Sequence, residues 1–133
     1  MTITNLDIVR LGYEAFAAQN PGPVLQYLDS EIEWYVPREM PYGGTFHGPD
    51  GVLQMLGGVA AHFAEQKVVP EQFHDAGDTV IVEGRHLGRV RDGREFESGF
   101  ATVFTLREQK VVRVREYFDA TIVNAVVSAS ASQ

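Results

Sequence analysis

Apolar residues recur at spacings of three and four near the start of the chain, at Leu6, Val9, Tyr13 and Phe16, a period that predicts an amphipathic helix. Thr4 followed by Asp7 has the form of a capping box with Asp in place of the usual Glu, and Asn20-Pro21-Gly22 stops the helix. Pro23 suits the first turn of a short second helix carrying Val24, Leu25 and Leu28, because proline's missing N–H has no partner to lose there. From Glu31 the period falls to two, with Ile32, Trp34 and Val36 on one face and Glu33 and Tyr35 on the other, until Pro37 ends the ladder. Residues 38–49, rich in Gly and Pro, predict a loop with a brief extended piece at Thr45-Phe46-His47. Asp50 opens a third helix whose Val52, Met55, Leu56, Val59 and Phe63 fall at helical spacing, with Gly57-Gly58 as a weak point. Thereafter strand patterns at 68–76, 79–90, 95–106 and 111–118, separated by short turn sequences, predict an antiparallel meander. Residues 120–127 are expected to add a final helical turn or two. Helices first and a curled antiparallel sheet last make an α+β domain, since neither layer buries its apolar side alone.

Size and composition narrow the chemistry. A chain of 133 residues fits one domain, expected over 1–127, and leaves Ser128 to Gln133 as a small polar tail expected to fray. The chain has no cysteine, which removes disulfides, thiolate nucleophiles and cysteine-ligated metals. Eleven basic against eighteen acidic side chains, a net charge of -7, oppose nucleic acid and anionic membrane as partners. With no leader-like start and no apolar run of bilayer-spanning length, a cytoplasmic protein is expected. His47, His62, His74 and His86 lack the spacing of a zinc site, so no metal is expected.

The order of elements, Glu33-Trp34 before a Pro-rich loop, Gly44-Thr45-Phe46-His47-Gly48 leading into the third helix, Gly84-Arg85 in a long strand, and Arg115-Glu116-Tyr117-Phe118-Asp119 at the end together resemble the SnoaL-like branch of the NTF2-like superfamily. That group includes polyketide cyclases, ketosteroid isomerases and limonene epoxide hydrolases. The resemblance spans about residues 5 to 126. It implies a cone of strongly bent antiparallel sheet wrapped around about three helices, an apolar pocket for a polyketide-, steroid- or terpenoid-like ligand, no cofactor, and a homodimer formed through the sheet.

Asp119, where the last strand runs out, is either a cap for the closing helix or a group delivered to a site. The resemblance makes it the general base of a cyclase- or hydrolase-type reaction. Arg85 is the arginine of the hydrolases' Arg-x-Asp pair, whose acid is replaced here by Leu87. His86 is the nearest match to the cyclases' histidine, and strict alternation places Arg85 and His86 on opposite faces. The isomerases' two acids fall at Trp34 and Thr102, which excludes their mechanism in its usual form. Tyr13, Phe16, Trp34, His47, Phe63, Phe100, Thr102 and Tyr117 are the residues expected to line the ligand site. Two functions remain open on this basis: a cofactor-independent isomerase, cyclase or hydrolase-like enzyme, or a binding or assembly module of the same fold.

Overall fold

The computed structural model describes the backbone of residues 3–131 and the side chains of residues 3–127. Helix α1 (Asn5–Ala17) starts at the expected capping box: the Asp7 amide donates to Thr4 Oγ1 at 3.0 Å and the Thr4 amide to Asp7 at 3.4 Å. The short α2 (Gly22–Leu25) has proline in its first turn, and Leu28, expected to belong to it, instead opens strand β1 (Leu28–Val36). Strand β2 (Gly44–His47), helix α3 (Gly48–Ala60), and strands β3 (Glu65–Asp75), β4 (Thr79–Arg89), β5 (Glu95–Arg107) and β6 (Lys110–Phe118) follow. Helix α4 (Ala120–Ala131) is longer than the expected turn or two and extends into the stretch expected to fray, while residues 132 and 133 lie outside the described residues.

The six strands form one curved sheet in the order β2-β1-β6-β5-β4-β3. From β3 to β6 it is the expected antiparallel meander. One expectation needs correction: the sheet is mixed, because β1 pairs with β6 in parallel, Trp34 opposite Val114. Having left β1 through β2 and α3, the chain returns along the meander running in the same direction, which no local pattern encodes. Helix α1 packs on β3 and β4, α3 on β1 and β2, and α4 on β5.

Period-two alternation sorts the strands cleanly. Ile32 and Val36, Val80 and Val82, Phe104 and Leu106, and Val114 point inward and join Ile8, Val9, Val52 and Met55 in the main core. A second core forms around Met40, Phe63, Val90 and Phe96 and is closed by Val123 and Val127 of α4. Among the described residues no helix is long and apolar enough to cross a membrane.

The bend of β4 is made with glycine. Gly84 sits on the inner face, where an added Cβ would lie 2.1 Å from the carbonyl oxygen of Val69 and 2.9 Å from the Phe100 ring. No L side chain fits without moving the β3 backbone. Gly58, exposed in α3, has open space around it. Gly84→Ala is therefore expected to cost at least about 2 kcal/mol in urea unfolding, whereas Gly58→Ala is expected to be neutral or to gain up to ~1 kcal/mol from helix propensity.

Candidate active site

The alternation that turns Val114 and Phe118 of β6 inward also turns Glu116 inward. Opposite it on β5 stands Thr102, only 6% exposed. On the other side, Trp34 of β1 pairs with Val114, and its indole reaches along the sheet so that Nε1–H donates to Glu116 Oε2 at 2.5 Å. Tyr13 of α1 is hydrogen-bonded to Thr102, and its ring stacks on Phe100 with centroids 6.3 Å apart and meets Phe73 and Phe104 edge-on at 6.0 Å. Tyr42, from the loop after β1, packs against His62 and Phe63 and is near enough to feel the Glu116 charge.

Burial dominates the electrostatics of this group. It pushes the Glu116 carboxyl up from 4.5 to about 7, against the opposing hydrogen bond from Trp34. Burial likewise raises the Tyr13 and Tyr42 phenols, and the Glu116 charge adds to both, so they stay protonated donors at neutral pH. Although deep, the carboxyl is not sealed. Glu116 is only partly buried, and its Oε1 has no hydrogen-bond partner among the described residues. Tyr13, Trp34, Tyr42, Phe100 and Phe118 are only partly buried although they pack against the core. Each of these side chains therefore keeps some accessible surface.

The residues singled out from the sequence divide into three groups. Tyr13, Trp34, Phe100 and Thr102 surround Glu116. His86 and Phe63 lie together in the second core: the His86 ring is 5.9 Å from Phe63 and 5.2 Å from Phe96, its Nε2 is 3.0 Å from Gln66 Oε1, and burial lowers its pKa to about 4. The remaining residues lie outside the Glu116 group. Asp119 is exposed and caps α4, its Oδ1 accepting from the Ile122 amide at 3.2 Å, while its own amide donates to the buried Ser98 hydroxyl at 3.1 Å. Of the two roles open to it, the cap is the one these contacts form. Arg85 faces outward, as alternation requires, and is held by Glu97 at 2.7 Å and Glu71 at 3.1 Å, not by Asp119. His47 is exposed, Tyr117 is 47% exposed on the outer face, and Phe16 is half-buried on α1.

The acid that does face inward had a sequence signal: Val114, Glu116 and Phe118 share one parity, so an acid interrupts the apolar side of the last strand.

A family model of the SnoaL-like domain matches residues 9–114. The chain belongs to this family. The SnoaL-like domain is similar to an NTF2-like protein of unknown function from Burkholderia pseudomallei, 29% identical, with a TM-score of 0.89 over 96% of this chain and 99% of that one. TerC, crystallised with polyporic acid, shares the fold at 23% identity and a TM-score of 0.86, over 93% of this chain and 98% of that one. So does a ketosteroid isomerase-like protein from Catenulispora acidiphila in complex with trimethylamine, 19% identical with a TM-score of 0.79 over 95% of both chains. Fold and family thus agree: this is a SnoaL-like domain with an NTF2-like fold.

An acid whose folded-state pKa lies above its unfolded value favours the folded state fully below about pH 4.5 and loses that contribution as pH rises to about 7. Wild type is therefore expected to lose up to about 3 kcal/mol of stability relative to Glu116→Gln across that window and to run parallel to it above. Denaturant midpoints of the two proteins measured from pH 4 to 9 check this; curves that stay parallel throughout contradict the raised pKa.

Proposed function

We propose that this chain is a small-molecule enzyme of acid–base type, acting as an isomerase, cyclase or hydrolase-like catalyst on an apolar, oxygenated ligand, with Glu116 as the group that moves the proton. The observation that carries it is the inward-facing, partly exposed Glu116 carboxyl, anchored through one oxygen by Trp34 and pushed up to about 7 by burial, with its other oxygen unbonded among the described residues. A base of that pKa is ionised in about half of the molecules at neutral pH and returns its proton readily, the balance that proton-transfer catalysis needs. Two protonated phenols, Tyr13 and Tyr42, stand beside it as hydrogen-bond donors for the oxygen of a substrate carbonyl.

The chemistry then follows simply. The Glu116 carboxylate takes a proton from carbon next to the carbonyl, or from water, and negative charge gathers on the substrate oxygen facing a phenol. Return of the proton to a second atom completes an isomerisation; in a cyclisation the carbanion attacks a neighbouring carbonyl carbon, its C=O π electrons pass to oxygen, and Glu116 returns its proton to that alkoxide. The proposal moves the base from Asp119, the residue expected from the sequence, three positions back along the chain. Fold neighbours that hold polyporic acid and trimethylamine support a ligand site in this fold.

The homodimer expected through the sheet belongs to the same proposal. Tyr117, Arg113, Arg115 and Tyr35 lie exposed or half-exposed on the outer face of β6 and β1, and aromatic and arginine side chains are those that interfaces favour. Light scattering is expected to give twice the monomer mass for wild type and a monomer for the Arg115→Glu, Tyr117→Lys double variant; a monomeric wild type contradicts the dimer.

Deuterium exchange from D2O into a panel of cyclic ketones, followed by NMR, tests the catalytic role. Glu116→Gln is expected to slow exchange by roughly a hundredfold or more. Asp119→Asn is expected to leave the rate within a few-fold and to cost at most about 1 kcal/mol of stability through the α4 cap. A Glu116→Gln protein that exchanges as fast as wild type overturns the assignment and favours the binding module.

A further inference from the structure

The charge balance around Glu116 is unusual for a buried acid. Ionised carboxylates inside proteins ordinarily face a cation, yet the described neighbours of Glu116 are the indole of Trp34, the phenols of Tyr13 and Tyr42, and the hydroxyl of Thr102. The nearest arginines in sequence, Arg113 and Arg115, have the opposite parity and line a depression of about 110 Å³ on the outer face with Tyr35. His86, on the inner face of β4, is engaged by Gln66 and kept neutral by burial. Phe100 and Phe118, partly buried on the same inner face, join the two tyrosines and the tryptophan as the aromatic surroundings of Glu116.

From this geometry we infer that the space in front of Glu116 takes a small organic cation, a tertiary or quaternary alkylammonium group, with the carboxylate as its counter-ion and the aromatic rings as its walls. The inference uses the same carboxyl group as the proposed reaction and extends it, because a cation need not be a substrate. Physically, three terms converge. The partly exposed carboxylate, whose Oε1 has no partner among the described residues, supplies the charge. The electron-rich faces of Trp34 and the tyrosines attract a soft, weakly hydrated cation, and the methyl groups of such an ion cover apolar surface. A compact, strongly hydrated ion such as sodium meets only the first of these. A neutral ligand of the same shape meets only the last, and its arrival leaves the carboxylate further desolvated.

The cation competes with a proton for Glu116. Tyr13, Tyr42, Trp34 and Thr102 stay neutral through the physiological range. His62 meets this group only through the Tyr42 ring and is engaged by the Gly58 carbonyl, so Glu116 is the titrating group that the cation meets directly. Affinity is expected to fall about tenfold between pH 8 and pH 6 as the carboxyl takes up its proton near 7.

The chain carries a built-in reporter, since Trp34 is its single tryptophan and is bonded to the group in question. The experiment titrates the protein with choline, with its neutral isostere 3,3-dimethyl-1-butanol and with sodium at constant ionic strength, following Trp34 fluorescence at pH 6 and pH 8. Saturable quenching by choline, at least tenfold tighter than by the alcohol, weaker at pH 6 and lost in Glu116→Gln, is the expected result. The pH dependence in wild type keeps the test decisive if Glu116→Gln does not fold. Equal affinity for choline and the alcohol, or choline binding that survives Glu116→Gln or ignores pH, overturns the inference. Such a failure leaves the proposed reaction standing as long as Glu116→Gln still abolishes exchange, so the two claims fail separately.

Discussion

One hydrogen bond organises the interior of this protein: the Trp34 indole to the Glu116 carboxyl, joining the two strands that pair in parallel. A carboxyl brought this far from water costs several kcal/mol if it ionises alone, and neither a salt bridge nor a metal ligand shell is formed around it among the described residues. The protein instead gives it one strong donor, a set of neutral polar neighbours, and partial exposure, with its second oxygen unbonded among the described residues. Its pKa settles between that of an exposed acid and that of an acid fully excluded from solvent. Such a group is poorly suited to stabilise the fold and well suited to exchange a proton or meet a cation.

The surrounding elements pack closely to hold that group in place. Gly84 and Gly88 remove side chains from the inner face of β4, and the rings of Phe100 and Phe96 lie where those side chains would stand. The sheet bends there, and α1 brings Tyr13 to Thr102 from the opposite side. At the end of β6, the Asp119 carboxylate and the Ser98 hydroxyl fix the start of α4, whose Val123 and Val127 close the second core. Asp119 thus positions a helix that covers the cone, while the acid three residues earlier faces its interior.

Much of this was legible in the residues. The capping box at Thr4 and Asp7, the alternation of Ile32, Trp34 and Val36, and the four strands of the meander are local patterns, and the structure keeps them within a few residues. The parallel pairing of β1 with β6 was not legible, because it joins segments far apart in sequence through tertiary packing alone. The site was half legible. Tyr13, Trp34, Phe100 and Thr102 were expected to line a ligand site, and they lie on the inner face around Glu116. The expectation that Asp119 is delivered to a site followed a motif at the strand end, whereas the parity shared with Val114 and Phe118 turns Glu116 inward. Parity is the stronger guide here because the pleat dictates side-chain direction, and a residue just beyond the last pleat is free to turn outward and cap. The outward direction of Arg85 obeys the same rule, and Glu71 and Glu97 on the flanking strands give it partners at the surface.

The most direct test of the central claim is the indole N–H resonance of Trp34, which is unique in the spectrum because the chain has one tryptophan. Followed from pH 5 to pH 9, it is expected to lie far downfield and to titrate with a midpoint near 7 in wild type, and to show no such titration in Glu116→Gln. A resonance at the position of a free indole, or one whose only midpoint lies near 4.5, would show that the buried Trp34–Glu116 pair does not exist as described.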